Sequence, residues 1–364
     1  MKINLNLKNK ISGIAQAFKK KSEDTTYSKP AVDSVESIYG SNQGFGSPFF
    51  DEERQRALEL QSKLLKKYSG VHLDDYFKGS VLKSEYGSSY CIEDEFKSKI
   101  KRNDIENVKN CILSDLQLIR GIGEKTEISL KNSGYSTICD LTKHNRYGSC
   151  AEEILNSLEN NGVSGLLDSI PKNYPKSHPT IMKASKMHKP EDFVFYDIET
   201  MGLFGSPIIL FGMSFIADDK INTKQFLLRN INEEPSSLHH TISELKNRKA
   251  LVTFNGKSFD MPFTQDRLGY YRMNNSKIPK IHYDLLHFSR RAWGNNLENC
   301  KLQTIEKELI GESRKDDVPS SMVPEFYRNY LRSGNIGPLV PIVEHNKIDV
   351  VTSAKILNLL WEEW

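Results

Sequence analysis

The sequence lacks the features that mark several classes of protein. Its five cysteines include no pair spaced for zinc binding or redox chemistry, so neither a disulfide scaffold nor a cysteine-rich zinc site is indicated. No long uninterrupted apolar run is present, which argues against a signal peptide and a membrane span. The net charge is only +3, too low for a polycationic coat on nucleic acid. These absences predict a cytoplasmic protein with reduced thiols.

The composition that remains suits a soluble protein with more than one globular unit. The chain has 364 residues, of which 38% are hydrophobic and 27% charged, enough apolar side chains for a packed core. Because the net charge is near zero, any surface that binds phosphate must be local. Shifts in composition predict a flexible basic and polar tail over residues 1–50, a small module over 51–165, a linker over 166–190 and a larger domain over 191–364.

The spacing of apolar residues predicts the elements of both globular parts. A helix is expected over 51–67 and a β-hairpin over 81–92, while 112–155 is typical of helices. Buried strands are expected at 193–198, 208–216, 225–228, 251–254 and 281–285. Helices alternate with the later strands, and a final helix covers 339–361. Three strands followed by this alternation indicate an α/β domain with a mixed central sheet flanked by helices.

Two acidic residues lie at the end of the first strand of that domain. Asp197 and Glu199 are two positions apart, so a strand places both carboxylates on the same face. Desolvation and mutual repulsion destabilise such a pair unless a cation neutralises it, and Mg²⁺ or Mn²⁺ prefers oxygen ligands of this kind. An exposed strand end with solvated acids is the competing interpretation, and the pair alone does not decide between the two.

A third carboxylate follows a later buried strand. Asn255 and Gly256 suit a tight turn that carries Asp260 to the carboxyl edge of the sheet, where the sites of α/β proteins usually lie. Asp260 also begins a predicted helix, so it or Ser258 could instead serve as a helix cap. Both interpretations remain open at this level.

The last predicted helix carries a histidine and a fourth acid on one face. His345 and Asp349 are four residues apart, a spacing that brings side chains together on a helix. Ile342, Thr352 and Ile356 share that side, so the face is expected to look toward the sheet. A buried hydrogen bond between the histidine and the acid is the alternative explanation. Taken together, four carboxylates and an imidazole could hold two metal ions and deprotonate a water for phosphodiester hydrolysis.

These residues resemble the motifs of the DEDD superfamily of 3′→5′ exonucleases. The motifs occur in the expected order: Asp197-Ile-Glu199-Thr200-Met201-Gly202-Leu203, Asn255 through Asp260, Tyr283 through Arg291, Leu302 through Glu306, Asp317-Val-Pro319, and His345 with Asp349. The flanking sequence is most similar to a branch of predicted exonucleases with a ribonuclease-H-like fold, related to the bacterial YprB group. The resemblance covers essentially all of residues 190–364.

The resemblance implies a role for each matching residue. Asp197, Glu199, Asp260 and Asp349 would be ligands of two Mg²⁺ or Mn²⁺ ions, His345 the general base, and Met201, Gly202, Leu203 and Asn255 the contacts to the terminal nucleotide. Asp284 would support the site through hydrogen bonds and not act as a fifth ligand. One departure weakens the assignment of the base. The branch of the superfamily that uses histidine places it five residues before the last aspartate, whereas His345 stands four before Asp349, the spacing of the tyrosine branch.

Residues 116–130 resemble a helix-hairpin-helix motif. Gly121 and Gly123 would form a turn that exposes backbone N–H groups at the N-terminus of a helix, and Lys125 would add positive charge. Such a turn can hold a phosphate without reading bases. The same element also occurs as a plain packing unit. With a nuclease domain in the same chain, contact with a DNA or RNA backbone is the favoured interpretation.

The sequence therefore predicts a metal-dependent exonuclease that acts at a 3′ end of DNA or RNA and releases nucleoside monophosphates. Two alternatives remain. One is a non-catalytic nucleic-acid-binding protein on the same fold. The other is a structure-selective endonuclease, because a ribonuclease-H-like fold does not by itself determine the reaction.

Overall fold

The computed structural model describes residues 48–98, 100–171, 174–274, 278–314 and 317–364. The tail predicted over 1–50 lies outside these residues except for its last three, which begin a helix. The helices are α1 (Pro48–Lys67), α2 (Leu73–Phe77), α3 (Ile105–Leu113), α4 (Glu124–Asn132), α5 (Ile138–Leu141), α6 (Gly148–Ser169), α7 (Pro179–Ser185), α8 (Glu234–Leu245), α9 (Asp260–Tyr270), α10 (Leu285–Trp293), α11 (Leu302–Ile305), α12 (Val323–Ser333) and α13 (Leu339–Glu363). The strands are β1 (Ser80–Ser84), β2 (Gly87–Lys97), β3 (Phe193–Thr200), β4 (Ile208–Ala217), β5 (Lys220–Leu227), β6 (Ala250–Thr253) and β7 (Ile281–Asp284).

Within the described residues, seven strands form one mixed sheet in the order β1-β2-β5-β4-β3-β6-β7. Neighbouring strands from β1 to β3 in this order are antiparallel, whereas β6 and β7 continue parallel to β3. Parallel neighbours need a crossover, and α8 and α9 supply the helices that lead into β6 and β7. The predicted α/β class with a mixed central sheet and flanking helices is confirmed.

Strand β3 is buried on both faces because helices cover both sides of the sheet. Val194, Tyr196 and Ile198 belong to one core cluster, while Phe193 and Phe195 belong to another that includes the second half of α13. The alternation follows from the two-residue period of a strand. Asp197 and Glu199 therefore continue the face that Phe193 and Phe195 begin, which is the face beside α13.

The predicted β-hairpin is present, but it does not belong with the helix-hairpin-helix-like element. Strand β2 pairs with β5 over eight positions, from Tyr90 opposite Leu227 to Lys97 opposite Lys220. Strand β5 would otherwise be an open edge, and β2 satisfies its free N–H and C=O groups. The assignment of the hairpin to a separate module over 51–165 is corrected accordingly, since the two strands extend the sheet of the larger domain.

Helix α1 also packs against the larger domain and not against the helical module. Its Ala57 and Leu64 are buried in the core cluster that contains β3 and β4. The backbone oxygen of Leu65 accepts a hydrogen bond of 2.9 Å from the side-chain amide of Asn335. Part of the core of the larger domain thus comes from a segment of the chain well before the sheet's central strands.

The predicted linker over 166–190 is largely ordered secondary structure. It contains the end of α6 and the whole of α7, with Met182 fully buried. The indole N–H of Trp361 donates a hydrogen bond of 2.8 Å to the Ser185 hydroxyl, which ties α7 to the last helix. The glycine, proline and lysine content suggested a loose connection, but inward-facing residues on α7 make it part of the core. None of the described helices combines the length and apolar character of a membrane span.

Candidate active site

The first two acids lie beside a local irregularity of the sheet. Asp197 stands opposite Gly212 of β4, and the pairing of β3 with β4 shifts register between Glu199 and Thr200. Bulges of this kind often re-aim a side chain next to a functional site. Glu199 is only 7% exposed, so the interpretation of a solvated strand end does not hold for it.

Asp260 is bound to β3 instead of serving as an ordinary helix cap. Helix α9 begins at Asp260, its N-cap position is Phe259, and no side chain caps it. One Asp260 oxygen, Oδ1, accepts a hydrogen bond of 3.0 Å from the backbone N–H of Ile198. This N–H lies between the two acids of β3, so Asp260 is held beside Asp197 and Glu199. The alternative that Ser258 caps the helix is wrong.

The turn before α9 is organised by Asp284 at the end of β7. Its two carboxylate oxygens accept the backbone N–H groups of Asn255 at 2.8 Å and Lys257 at 3.1 Å. Asn255 has a φ of 69°, a left-handed conformation that few residues other than glycine adopt readily. Gly256 is required because a Cβ there would lie 2.5 Å from the Thr253 side chain. Asp284 therefore supports the turn that leads to Asp260.

Helix α13 supplies the histidine and the fourth acid. His345 Nε2 lies 3.4 Å from Asp349 Oδ2, and His345 Nδ1 lies 2.5 Å from Asp317 Oδ1. The Asp317 contact was not anticipated as a site interaction, and it gives the imidazole a second carboxylate partner. A simple buried pair of His345 with Asp349, the alternative left open by the sequence, accounts for only one of these contacts.

Arg314 brings a positive charge into the acidic cluster. Its Nη2 lies 2.5 Å from Asp349 Oδ1 and donates to Glu306 Oε2 at 2.7 Å. Asp349 Oδ1 is buried, and no donor reaches it in hydrogen-bond geometry. Glu306, in a single π-helical turn over Glu306–Ile310, also accepts from the Thr352 hydroxyl at 3.1 Å. Turns of this kind are frequent at functional sites.

Asn346 holds Asp197 from the helix side. Its amide nitrogen donates to Asp197 Oδ2 at 2.8 Å, while its amide oxygen accepts from Gln225 Nε2 at 2.8 Å. Gly212 makes this approach possible, since a Cβ there would lie 2.0 Å from the Asn346 oxygen. Asp197 is therefore positioned by a buried polar chain that begins on β5 and passes through α13.

The carboxylates are close enough to resist one another's ionisation. Burial raises the pKa of Asp197 well above its usual range, and Asp260, Asp349 and Glu199 raise it further. Burial raises the pKa of Glu199 to about 8, with the charge of His345 opposing the shift and that of Asp349 adding to it. The four side chains thus form one electrostatic cluster that is short of positive charge.

Hydrogen bonds and cations inside the protein compensate part of this shortage. Burial raises the pKa of Asp260 to about 7 against the effect of the Ile198 N–H. Burial also raises the pKa of Asp349, although His345 and Arg314 offset some of the shift. For His345, burial alone would lower the pKa, but Asp349, Asp317 and Glu199 outweigh it and raise the pKa to about 9.

The chemical type of these side chains suits a divalent cation, but their positions do not yet form a set of ligands around one ion. Among the described residues, no three histidine, cysteine or acidic side chains converge as the ligands of one metal ion. Four carboxylates of raised pKa nevertheless have the chemistry that Mg²⁺ and Mn²⁺ select. Asp349 is paired with Arg314 instead. The residues therefore fit such an ion if Asp349 exchanges its partner.

The residues expected to contact a nucleotide lie at the same edge of the sheet. Met201, Gly202 and Leu203 follow Glu199 in the loop between β3 and β4, and Leu203 is 64% exposed. The next residue, Phe204, is also exposed, and its ring stacks on Phe263 of α9 with centroids 5.0 Å apart. Phe204 was not singled out from the sequence, although an exposed Leu-Phe pair after an acidic strand end is a visible signal.

The Gly-x-Gly turn lies in a different environment. Gly121 has a φ of 94°, Gly123 is the N-cap of α4, and Lys125 is exposed. The two glycines line a cavity of about 1190 Å³ whose lining also includes Glu153 and Asp168 but none of the four carboxylates of β3, α9 and α13. The structure therefore places this turn apart from the acidic cluster and among charges of both signs.

Comparison with known proteins matches the part of the chain that carries the acidic cluster. Residues 194–361 match the family model RNase_H_2, described as RNase_H superfamily. The chain is also similar to an uncharacterized protein, YprB, of Bacillus subtilis (strain 168), with 32% identity over 173 residues. That alignment covers 46% of this chain and 42% of the relative, so the chain spans less than half of the relative's length. Both similarities support a ribonuclease-H-like fold for residues 194–361.

Proposed function

We propose that this chain is a metal-dependent 3′→5′ exonuclease that hydrolyses phosphodiester bonds of DNA or RNA and releases nucleoside monophosphates. The observation that carries the proposal is the acidic cluster, in which Asp197, Glu199, Asp260 and Asp349 come from three separate elements and Asp260, Asp349 and Glu199 together raise the pKa of Asp197. Glu199 and Asp260 are buried and the other two acids are partly buried, and such a group is costly unless cations neutralise it. The match of residues 194–361 to the RNase_H superfamily supports a nuclease.

The four acids would hold two Mg²⁺ or Mn²⁺ ions. When bound, such ions stabilise the charge on the attacking and leaving oxygens of a phosphodiester displacement. The protein contributes the positions of the ligands: Asn346 orients Asp197, and the Ile198 N–H orients Asp260. These contacts fix carboxylate rotamers before any ion binds, which is the preorganisation that a catalytic site requires.

His345 is the proposed general base. The Asp317 carboxylate accepts from Nδ1, so the proton of the neutral imidazole resides on Nδ1 and the lone pair of Nε2 faces Asp349 and the cluster. The raised pKa of His345 depends on the negative charge around it, and neutralising that charge would lower the pKa toward the range in which a base works at neutral pH. Asp317 thus serves the role of orienting the imidazole.

The substrate end of the site would be the loop after β3. Met201, Gly202, Leu203 and Asn255 are the proposed contacts to the terminal nucleotide, and the exposed ring of Phe204 offers a face on which a base can stack. Arg328 on α12 donates to the backbone oxygen of Met201 at 3.4 Å, which places a guanidinium beside the loop. An apolar face beside a positive charge suits a single-stranded end.

The proposal is tested by digestion of 5′-labelled DNA and RNA oligomers with Mg²⁺, with Mn²⁺ and with chelator. We expect a ladder that shortens from the 3′ end, mononucleotide product, and no cleavage in chelator or with Asp197→Asn. Products that all arise internally, together with linearisation of a circular single strand, would indicate an endonuclease. Binding without cleavage under every metal condition would indicate a non-catalytic binding protein.

A further inference from the structure

One charged residue of the cluster is not explained by the proposed chemistry. Arg314 lies in the segment between the π-helical turn and α12, and its side chain is only 6% exposed. Its Nε and Nη2 donate to Glu306 at 3.2 and 2.7 Å. Its Nη2 also lies 2.5 Å from Asp349, and its Nη1 lies 3.4 Å from His345 Nδ1. The whole guanidinium is therefore turned into the protein.

Glu306 alone is sufficient to pair this arginine. A two-point contact between a guanidinium and a carboxylate satisfies the charge of both, and Glu306 is buried at 2% exposure with the Thr352 hydroxyl as a further donor. Pairing with Asp349 is thus additional. It places positive charge at an acid that is a proposed metal ligand.

We propose that Arg314 is an internal counter-ion that neutralises Asp349 in the metal-free protein and that a divalent cation must displace from it. The inference rests on the proposed metal-dependent function and deepens it. It explains why the described acidic side chains do not converge as ligands of one ion, because Asp349 is held by Arg314. Glu306 makes the exchange possible, since Arg314 keeps its two-point partner after Asp349 has left.

A role for Arg314 in binding the substrate phosphate is less consistent with the contacts. Nε and Nη2 already donate to Glu306, and Nη1 is directed at the His345 ring. A phosphate would have to compete with the buried Glu306 carboxylate for Nε and Nη2, and Nη1 faces the His345 ring inside the protein. The counter-ion role needs no new donor, because only the ion pair between Arg314 and Asp349 is lost.

The test is Mn²⁺ binding by calorimetry in the absence of nucleic acid, with the wild type and the double variant Glu306→Gln/Arg314→Gln. The double variant removes Arg314 together with the charge of Glu306, so Glu306 is not left as a lone buried carboxylate, while Asp349 loses Arg314 and keeps His345 beside it. We expect it to bind Mn²⁺ at least about tenfold more tightly than the wild type, a difference within the range of one charge pair. The double variant Arg229→Gln/Glu233→Gln is the matched control, because Arg229 pairs with Glu233 outside the cluster; its affinity for Mn²⁺ should equal that of the wild type.

A second measurement uses the unaltered protein and does not depend on the folding of a variant. The side-chain Nε–H resonance of Arg314, assigned in the ¹⁵N-labelled full chain, should shift with Mg²⁺ along the same isotherm as the heat of binding. Equal or weaker Mn²⁺ affinity in the double variant, or an Arg314 resonance that stays in place while Mg²⁺ binds, contradicts the counter-ion role alone. Failure of both the wild type and the double variant to take up Mn²⁺ contradicts the proposed function as well.

Discussion

The acidic cluster and the Gly121–Gly123 turn were both predicted from short motifs, yet they differ in burial and in the number of contacts that the surrounding protein makes to them. In the cluster, three of the four acids have a dedicated contact: Asn346 for Asp197, the Ile198 N–H for Asp260 and Arg314 for Asp349. At the turn, the glycines and Lys125 are exposed. A buried group of like charges is too costly to persist without a reason, whereas an exposed glycine turn costs little and needs none.

The difference shows which motif deserves the stronger functional interpretation. Four neighbouring acids with raised pKa values, of which Glu199 and Asp260 are buried, are typical of a functional site. The turn is equally consistent with packing, because Ile119 and Ile122 beside it are buried in the core of the helical region. The following experiments would sharpen this contrast or remove it.

The largest effect is expected at the acids themselves. Asp197→Asn and Asp349→Asn should each lower the rate of hydrolysis by about 10³-fold or more, the scale of several kcal/mol of transition-state stabilisation. The fold should be kept, because asparagine preserves the shape of the side chain and removes repulsion. Rates on a labelled oligomer and circular dichroism measure the two properties. Activity within a few fold of the wild type in either variant would contradict a catalytic role for the cluster.

A smaller but still large effect is expected at Asp317. Asp317→Asn should lower kcat by about 10²-fold, because orientation and charge at a general base contribute on that scale. Asp317 raises the pKa of His345, so its loss should move the acidic limb of the pH–rate profile to lower pH. A merely structural role would lower activity without moving the profile, and that outcome would contradict the assignment of Asp317 as the orienting residue.

A moderate effect is expected at the aromatic face beside the cluster. Phe204→Ala should weaken binding of a single-stranded oligomer about tenfold in the presence of chelator, because stacking of one base on a ring contributes about 1–3 kcal/mol. A 2-aminopurine at the 3′ end should also lose its quenching. Tyr270→Ala is the control, since Tyr270 is 69% exposed at the far end of α9, the helix that carries the Phe263 ring on which Phe204 stacks. Equal losses in the two variants would show that Phe204 has no specific role.

The smallest effect is expected at the turn. Lys125→Glu should weaken binding of long nucleic acid a few fold and lower the dependence of affinity on salt by about one phosphate contact, while a short oligomer is cleaved at the wild-type rate. Binding titrations at three salt concentrations measure this. An unchanged salt dependence would support the packing interpretation and widen the contrast with the cluster. A loss of affinity as large as that of Phe204→Ala would remove the contrast between the turn and the cluster.

The parts of the site that follow from local periodicity were predictable. Asp197 and Glu199 share a strand face and His345 and Asp349 share a helix face, and both consequences follow from repeat distances alone. Asn346 could have been noticed as a polar residue on an apolar helical stripe. The hydrogen bond from Asn346 to Asp197 could not be predicted, because it depends on the crossing of α13 over β3 and on the missing Cβ of Gly212.

The contacts made from irregular segments could not be predicted in the same way. Arg314 and Asp317 lie between the π-helical turn and the next helix, where no period relates sequence position to direction. The pairing of β2 with β5 joins residues more than a hundred positions apart, and no local pattern identifies a strand's partner across that distance. The hairpin was therefore recognised as an element but assigned to the wrong neighbours.

The pairing of β2 with β5 has a practical consequence for anyone who wishes to produce the protein. A fragment that starts near residue 191 would retain the whole segment that matches the family model, yet it would leave β5 with eight unpaired positions along one side. A strand exposed in this way recruits strands from other copies, so aggregation of the fragment would not test the proposed activity. Expression should begin before α1, so that both the hairpin and the helix whose Ala57 and Leu64 belong to the same core are included.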